Sequence, residues 1–214
     1  MQYYDHQNDS ENKSLPYSSD DYECISKKIF ELLMTIEDPD YLNISLTLYR
    51  GITCTAAAHS TAKVVYDTYV GWLLHTYSML LIATTIYDAY HQRFSIDRSA
   101  LLAGVLVHNC GGFFAFFLSE TGEIRIDWKD IKLIGHSALG ALLLEQMDLQ
   151  TDYPVDKMRH LQHITLSCGS ADHGAAVPPQ TIEAEVIKYL DGLDSRMDIY
   201  THALSKTDEG QFSE

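Results

Sequence analysis

The stretch LLAGVLVHNCGG, Leu101 to Gly112, decides how this chain is read. Seven apolar or small residues run to Val107 and then stop on His108, Asn109, Cys110 and two glycines. Asp97, just upstream, has the short side-chain acceptor that opens helices. Asn and Gly at the far end tolerate left-handed backbone angles, so the stretch predicts a buried helix that stops at His108. A histidine at the end of an apolar helix also presents an imidazole beyond that end. The stretch is therefore either an ordinary helix terminus or one wall of a metal site. The rest of the chain decides between them.

Working outward, helix-period patterns recur on both sides. Asp20 and Asp21 are placed to cap a helix carrying Ile25, Ile29, Phe30, Leu33 and Ile36, which Pro39 is expected to break. YLNISLTLYR fits either helix or strand, with helix the reading adopted, and TAAAHSTAKVVY fits a modest helix ending near Asp67. Gly71 to Tyr90 is apolar on nearly all sides, which predicts a buried central helix. Phe113 to Trp128 alternates around Glu120-Thr121-Gly122 and predicts one small β-hairpin. A helix from Asp127 to Met147 follows, then VDKMRHLQHITLS, then the loop CGSADHGAAVPPQ. A long amphipathic helix opened by Thr181 runs to about Ser205. The fold expected is all-α, one domain over residues 21–205, with a disordered acidic tail at 1–20 and a flexible tail at 206–214.

Composition narrows the function. The formal net charge is −15, with Lys and Arg scattered. An acidic exterior repels phosphate backbones, so no broad nucleic-acid surface is expected. Four cysteines, Cys24, Cys54, Cys110 and Cys168, show no zinc-finger or redox spacing. The N-terminus lacks the apolar core of a signal peptide, and the apolar stretches are broken by His, Tyr, Thr or Asp. A cytoplasmic protein with reduced thiols and no membrane partner is the expectation.

Ten histidines are many for 214 residues. His75, His108, His136 and His163 each fall in a separate apolar helical segment. Asp191, Asp194 and Asp198 recur at i, i+3 and i+7 on the last helix, near one face. Imidazole nitrogen and carboxylate oxygen together suit Mn, Fe, Zn, Ni or Co, and converging helices can build such a cage.

Five segments in one order, TAKVVYDTYVGWLLHTYSML, LLAGVLVHNCGG, LIGHSALGALLL, LQHITLS and VPPQTIEAEVIKYLDGLDSRM, resemble the HD-domain phosphohydrolases. The likeness covers about Thr55 to Tyr200 and looks most like the HD domain of the bacterial 3′→5′ exoribonucleases that also carry an OB-fold. It implies an HD-domain helical bundle with a divalent transition metal on His75, His108, Asn109, His136 and Asp191. His163, Cys168, His173 and Asp194 would be further ligands or their supports. It also implies hydrolysis of a phosphoester. The acidic exterior, and no OB-fold within these residues, direct the expectation to a nucleotide or short oligonucleotide. No catalytic residue is assigned.

Four positions depart from the family pattern. Asn109 stands where the pair has aspartate, Gly112 where a lysine is usual, Cys168 where a histidine is expected, and Tyr66-Asp67 where two histidines are expected. A neutral amide can ligate but cannot take up a proton as a base. The alternative reading is a catalytically inactive HD-like protein that binds a nucleotide, a protein partner or a second copy of itself. A third treats the histidines as core residues alone.

Overall fold

The computed structural model describes residues 19–58, 63–118, 124–126, 133–168 and 175–206. Its helices are α1 (Ser19–Leu33), α2 (Pro39–Ala58), α3 (Lys63–Tyr90), α4 (Arg98–Val107), α5 (His136–Thr151), α6 (Val155–Ser167) and α7 (Ile182–Lys206). The all-α expectation holds for this part of the chain. Two three-residue strands, β1 (Phe116–Leu118) and β2 (Ile124–Ile126), pair antiparallel with Phe117 opposite Arg125. The turn of the expected hairpin lies outside the described residues, as do both expected tails apart from residues 19–20 and Lys206.

The centre of the fold is α4. Every residue from Ser99 to Val107 is buried, and α2, α3, α6 and α7 pack around it. Asp97 caps it as expected, its carboxylate accepting from the Ala100 N–H at 3.0 Å. The sequence reading gave the central place to Gly71–Tyr90. In the fold that segment belongs to the 28-residue α3, which packs against α1, α4 and α7 and leaves Leu81 and Tyr90 exposed. Tyr69–Tyr90 is long and apolar enough, by length and composition, to cross a membrane, contrary to the expectation that every apolar stretch is too broken, and only 39% of its most apolar window is buried.

Other boundaries shift for local reasons. Pro39 opens α2 rather than only ending α1, since a proline costs nothing where the first N–H has no helical partner. The Asp38 carboxylate accepts from the N–H groups of Asp40 and Tyr41 just inside that start. Thr55–Ala58 ends α2 and Lys63–Tyr66 begins α3, so the modest separate helix expected there is absent from the described residues. Residues 127–132 of the helix expected from Asp127 to Met147 lie outside the described residues; the described part is interrupted at Gly135, whose φ of +85° suits only glycine, and α5 begins at His136.

The turn after α4 is made differently from expectation. Among the described glycines only Gly135 has positive φ, and His108 is right-handed. The chain runs on from His108 into a 3₁₀ helix, Cys110–Ala115. Gly111 is needed for proximity: a Cβ there would stand 1.9 Å from the His136 carbonyl oxygen and 2.6 Å from the Gly140 nitrogen. The 3₁₀ turn and α5 thus touch backbone to backbone. Gly104 has a parallel role, since a Cβ there would meet Ile187 Cδ1 at 2.6 Å and Ile164 Cδ1 at 2.8 Å. That approach brings α4 against α6 and α7.

Candidate metal centre

Gly104 and Ile187 are the point of contact between α4 and α7. One turn further along each helix stand His108 and Asp191. His75 enters from α3. The Nε2 atoms of His75 and His108 lie 3.1 Å apart, and Asp191 Oδ1 lies 3.5 Å from the first and 3.9 Å from the second. Three helices thus bring two imidazoles and a carboxylate to one point, the group among the described residues with metal-ligand potential. The circle through those three atoms, taken from the three edges, has a radius of about 2 Å. Bonds from transition metals to nitrogen and oxygen are roughly 2.0–2.2 Å. The residues present therefore fit a metal ion of that size.

The rings are held in the orientation such an ion requires. His75 Nδ1 is 2.6 Å from Asp194 Oδ2, on the same helix as Asp191. His108 Nδ1 is 2.6 Å from the Val105 carbonyl oxygen. A carbonyl only accepts, so His108 Nδ1 carries the proton and Nε2 is left with its lone pair facing the centre. Asp194 imposes the same choice on His75. Histidine ligands are regularly oriented by such partners on the second nitrogen. Asp191 is steadied in turn: the Cys168 thiol donates to Oδ2 and the Ser195 hydroxyl to Oδ1, both at 3.5 Å.

The electrostatics separate the two rings. Burial works against a charge on His75, but the hydrogen bonds and charges of Asp191 and Asp194 outweigh it and raise its pKa to about 9. Burial, which the Asp191 charge only partly offsets, lowers His108 to about 4. Without a metal, His75 is an imidazolium that donates from Nε2 to the bare Nε2 of His108. Burial also opposes charge on Asp191, yet the His75 imidazolium 3.5 Å away and the neighbouring His108 hold its carboxyl well below the usual range. A half-buried carboxylate kept charged beside two imidazoles is a group that could hold a cation.

The other expected residues divide. Asn109 follows His108, half-buried, and its carbonyl oxygen accepts from the Gly112 N–H at 3.4 Å. His136, the first residue of α5, stands outside the three-atom group but near enough that Asp191 affects its titration and it affects that of His108. Burial pushes its own pKa down. Cys168 and Asp194 touch the centre through Asp191 and His75. His163 does not: its Nε2 accepts the Gln180 N–H at 2.9 Å, which pins the approach to α7. His173 lies outside the described residues. Cys110, inside the decisive stretch, points its thiol at the Gly140 carbonyl, and burial raises its pKa to about 12, so it is an inert packing residue. Sequence reasoning missed the Val105 carbonyl, because a backbone acceptor has no residue type to reveal it.

The chain is similar to three curated bacterial proteins described as 3′-5′ exoribonuclease YhaM. The protein from Bacillus subtilis (strain 168) is 28% identical over 195 residues, covering 90% of this chain and 59% of the relative. Those from Geobacillus sp. (strain WCH70) and Bacillus velezensis (strain DSM 23117 / BGSC 10A6 / LMG 26770 / FZB42) are each 27% identical over 195 residues and 90% of this chain, with 58% and 59% of their own lengths covered. The chain thus spans about three-fifths of the length of the relatives it matches. No family model and no solved structure matches it.

Proposed function

We propose that this chain is an HD-type metal-dependent phosphohydrolase or phosphodiesterase acting on a nucleotide or a short oligonucleotide. The observation that carries the reading is the triangle of His75 Nε2, His108 Nε2 and Asp191 Oδ1, sized for one divalent transition ion. Mn, Fe, Zn, Ni and Co all accept this donor set. Asn109 and His136 are the neighbours that would complete the coordination. Similarity to proteins described as 3′-5′ exoribonucleases supports a phosphoester of RNA as the bond acted on.

A bound divalent ion would supply Lewis acidity, polarising a phosphoryl oxygen and acidifying a water. The protein's own part is orientation. Asp194 and the Val105 carbonyl hold the two Nδ1–H groups, so both Nε2 atoms remain aimed at one point. Asp191 supplies the negative charge, and its thiol and hydroxyl donors fix where that charge sits. Ordered ligands lower the cost of assembling the site when an ion arrives.

One observation favours a second reading, in which the chain binds its ligand without cleaving it. Asn109 offers a neutral amide where a carboxylate would add charge and accept a proton. Elemental analysis of protein purified without chelator, with His108→Ala alongside, separates the readings when joined to a release assay on short RNA and nucleotides. Near-stoichiometric metal and product release, both lost in His108→Ala, are expected. Metal without release would favour the binding role. No metal, even after supplementation, would refute the centre.

A further inference from the structure

The outward face of α7 carries a second pattern that the metal centre does not use. Ile182, Val186, Tyr189, Leu193, Met197 and Tyr200 follow one another at steps of 4, 3, 4, 4 and 3 residues, which is a single stripe on a helix. Asp191 and Asp194 sit on the other side of the same helix, engaged with the histidines. Val186 is half-buried, while the other five residues of the stripe are 41% to 68% exposed. At its N-terminal end the stripe borders a groove of about 420 Å³, whose far wall is Ile86, Tyr90, Phe94 and Ile96 from the end of α3 and the turn after it.

We propose that two copies of this chain pair through this face as a two-fold symmetric dimer. The ridge from Leu193 to Tyr200 of one copy would sit in the Tyr90–Phe94 groove of the other. Three observations select a second copy as the occupant. First, ridge and groove lie along one face of one helix, and a two-fold axis seats each ridge in the opposite groove at once. Second, the five exposed residues of the stripe and the exposed rings of Tyr90 and Phe94 present roughly 700 Å² of largely apolar side chain, at about 100 Å² each. That exceeds the ~300–600 Å² patch a monomer usually leaves open and approaches the ~800 Å² each partner contributes to a standard interface. Third, the chain as a whole is at −15, yet the exposed charges that flank this stripe, Glu185 and Arg196, are of opposite sign and cancel. Two acidic molecules repel least where their local charge cancels.

The test is independent of the metal centre and reads mass alone. Sedimentation equilibrium at about 100 µM, above the micromolar dissociation constants common for interfaces of this size, is expected to give twice the monomer mass of 24.2 kDa. Leu193→Glu and Met197→Lys, opposite in charge, are each expected to return the monomer mass with far-UV circular dichroism unchanged. Leu142→Glu, at an exposed apolar residue of α5, is expected to leave the dimer intact. A wild-type monomer at that concentration would overturn the proposal and leave the stripe to another segment or another protein. A dimer that survives both α7 substitutions would overturn it as well, because the copies would then meet elsewhere. If either α7 variant loses helical signal, Tyr200→Lys at the exposed end of the stripe provides the same reading.

Discussion

Gly111→Ala tests the packing that positions the centre. The added methyl carbon would lie 1.9 Å from the His136 carbonyl oxygen, 2.6 Å from the Gly140 nitrogen and 2.9 Å from the His136 carbonyl carbon. An ordinary contact is about 3.4 Å, so the first turn of α5 must retreat by about 1.5 Å. All three obstacles are backbone atoms, which cannot swing aside as a side chain would. Inserting a methyl group into a packed core costs roughly 1–3 kcal/mol, and a backbone obstacle places this site at the upper end, about 3 kcal/mol. For a chain of this length each kcal/mol lowers Tm by roughly 2–4 °C, so thermal unfolding followed at 222 nm should fall by about 6–12 °C. Gly71→Ala is the internal control. It lies exposed inside α3 with nothing within 4 Å of the new carbon, and helix propensity there should raise stability by roughly 0.5–1 kcal/mol. Two identical substitutions should thus move Tm in opposite directions. A Gly111→Ala protein within 1 °C of wild type would refute the close approach of the 3₁₀ turn to α5.

Three further outcomes follow from the site and its surroundings. In chelated protein, His75 has a folded pKa of about 9 against an ordinary imidazole value of 6.5, so its contribution is full below about 6.5 and is lost as pH rises through 9. His108, at about 4, acts in the opposite sense and removes stability as pH falls from 6.5 toward 4. Tm of the metal-free protein should therefore peak near neutral pH, with an alkaline loss of at most roughly 3 kcal/mol that Asp194→Asn reduces; a flat profile from pH 5 to 9.5 would contradict the assignment. Adding a binding divalent ion at about a hundred times its dissociation constant should stabilise wild type by roughly 2.7 kcal/mol and His108→Ala by almost nothing, read as a metal-dependent Tm shift present in one protein and absent in the other. Lys157 bridges Asp38 and Asp40 at 2.6 Å each, tying α6 to the start of α2. Lys157→Met should cost about 1 kcal/mol and lose salt sensitivity, checked by urea titration at two ionic strengths.

The sequence made the local features legible. Asp97 and Thr181 each cap the helix they were expected to cap, because an N-cap needs only a side-chain oxygen and the next few N–H groups. Helices α1, α6 and α7 form where the pattern put them, but α1 runs from Ser19 to Leu33, so Asp20 and Asp21 lie inside it rather than capping it and Ile36 lies beyond its end. Three of the expected ligands, His75, His108 and Asp191, meet in space, and Asp194 and Cys168 stand beside them. The order of five motif segments, rather than any single residue, made that grouping foreseeable.

Other features had no local signature. Gly111 reads as a helix stop in sequence, but its place is fixed by His136 and Gly140, more than twenty residues away in the chain. The rank of α4 over α3 as the central helix rests on burial, complete from Ser99 to Val107 in α4 and only partial along α3, and no single segment records what will cover it. His163 and His108 are the same residue type on similar helices, yet one receives the Gln180 N–H and the other faces His75. By itself, then, the sequence determined most of the helices, the caps at Asp97 and Thr181 and which side chains were able to bind a metal, because turns of 3.6 residues and capping bonds are made within a few positions. Only the tertiary structure decided which nitrogens face the centre, because an imidazole's free lone pair depends on what its other nitrogen meets, and for His75 that partner is Asp194, 119 residues further along the chain.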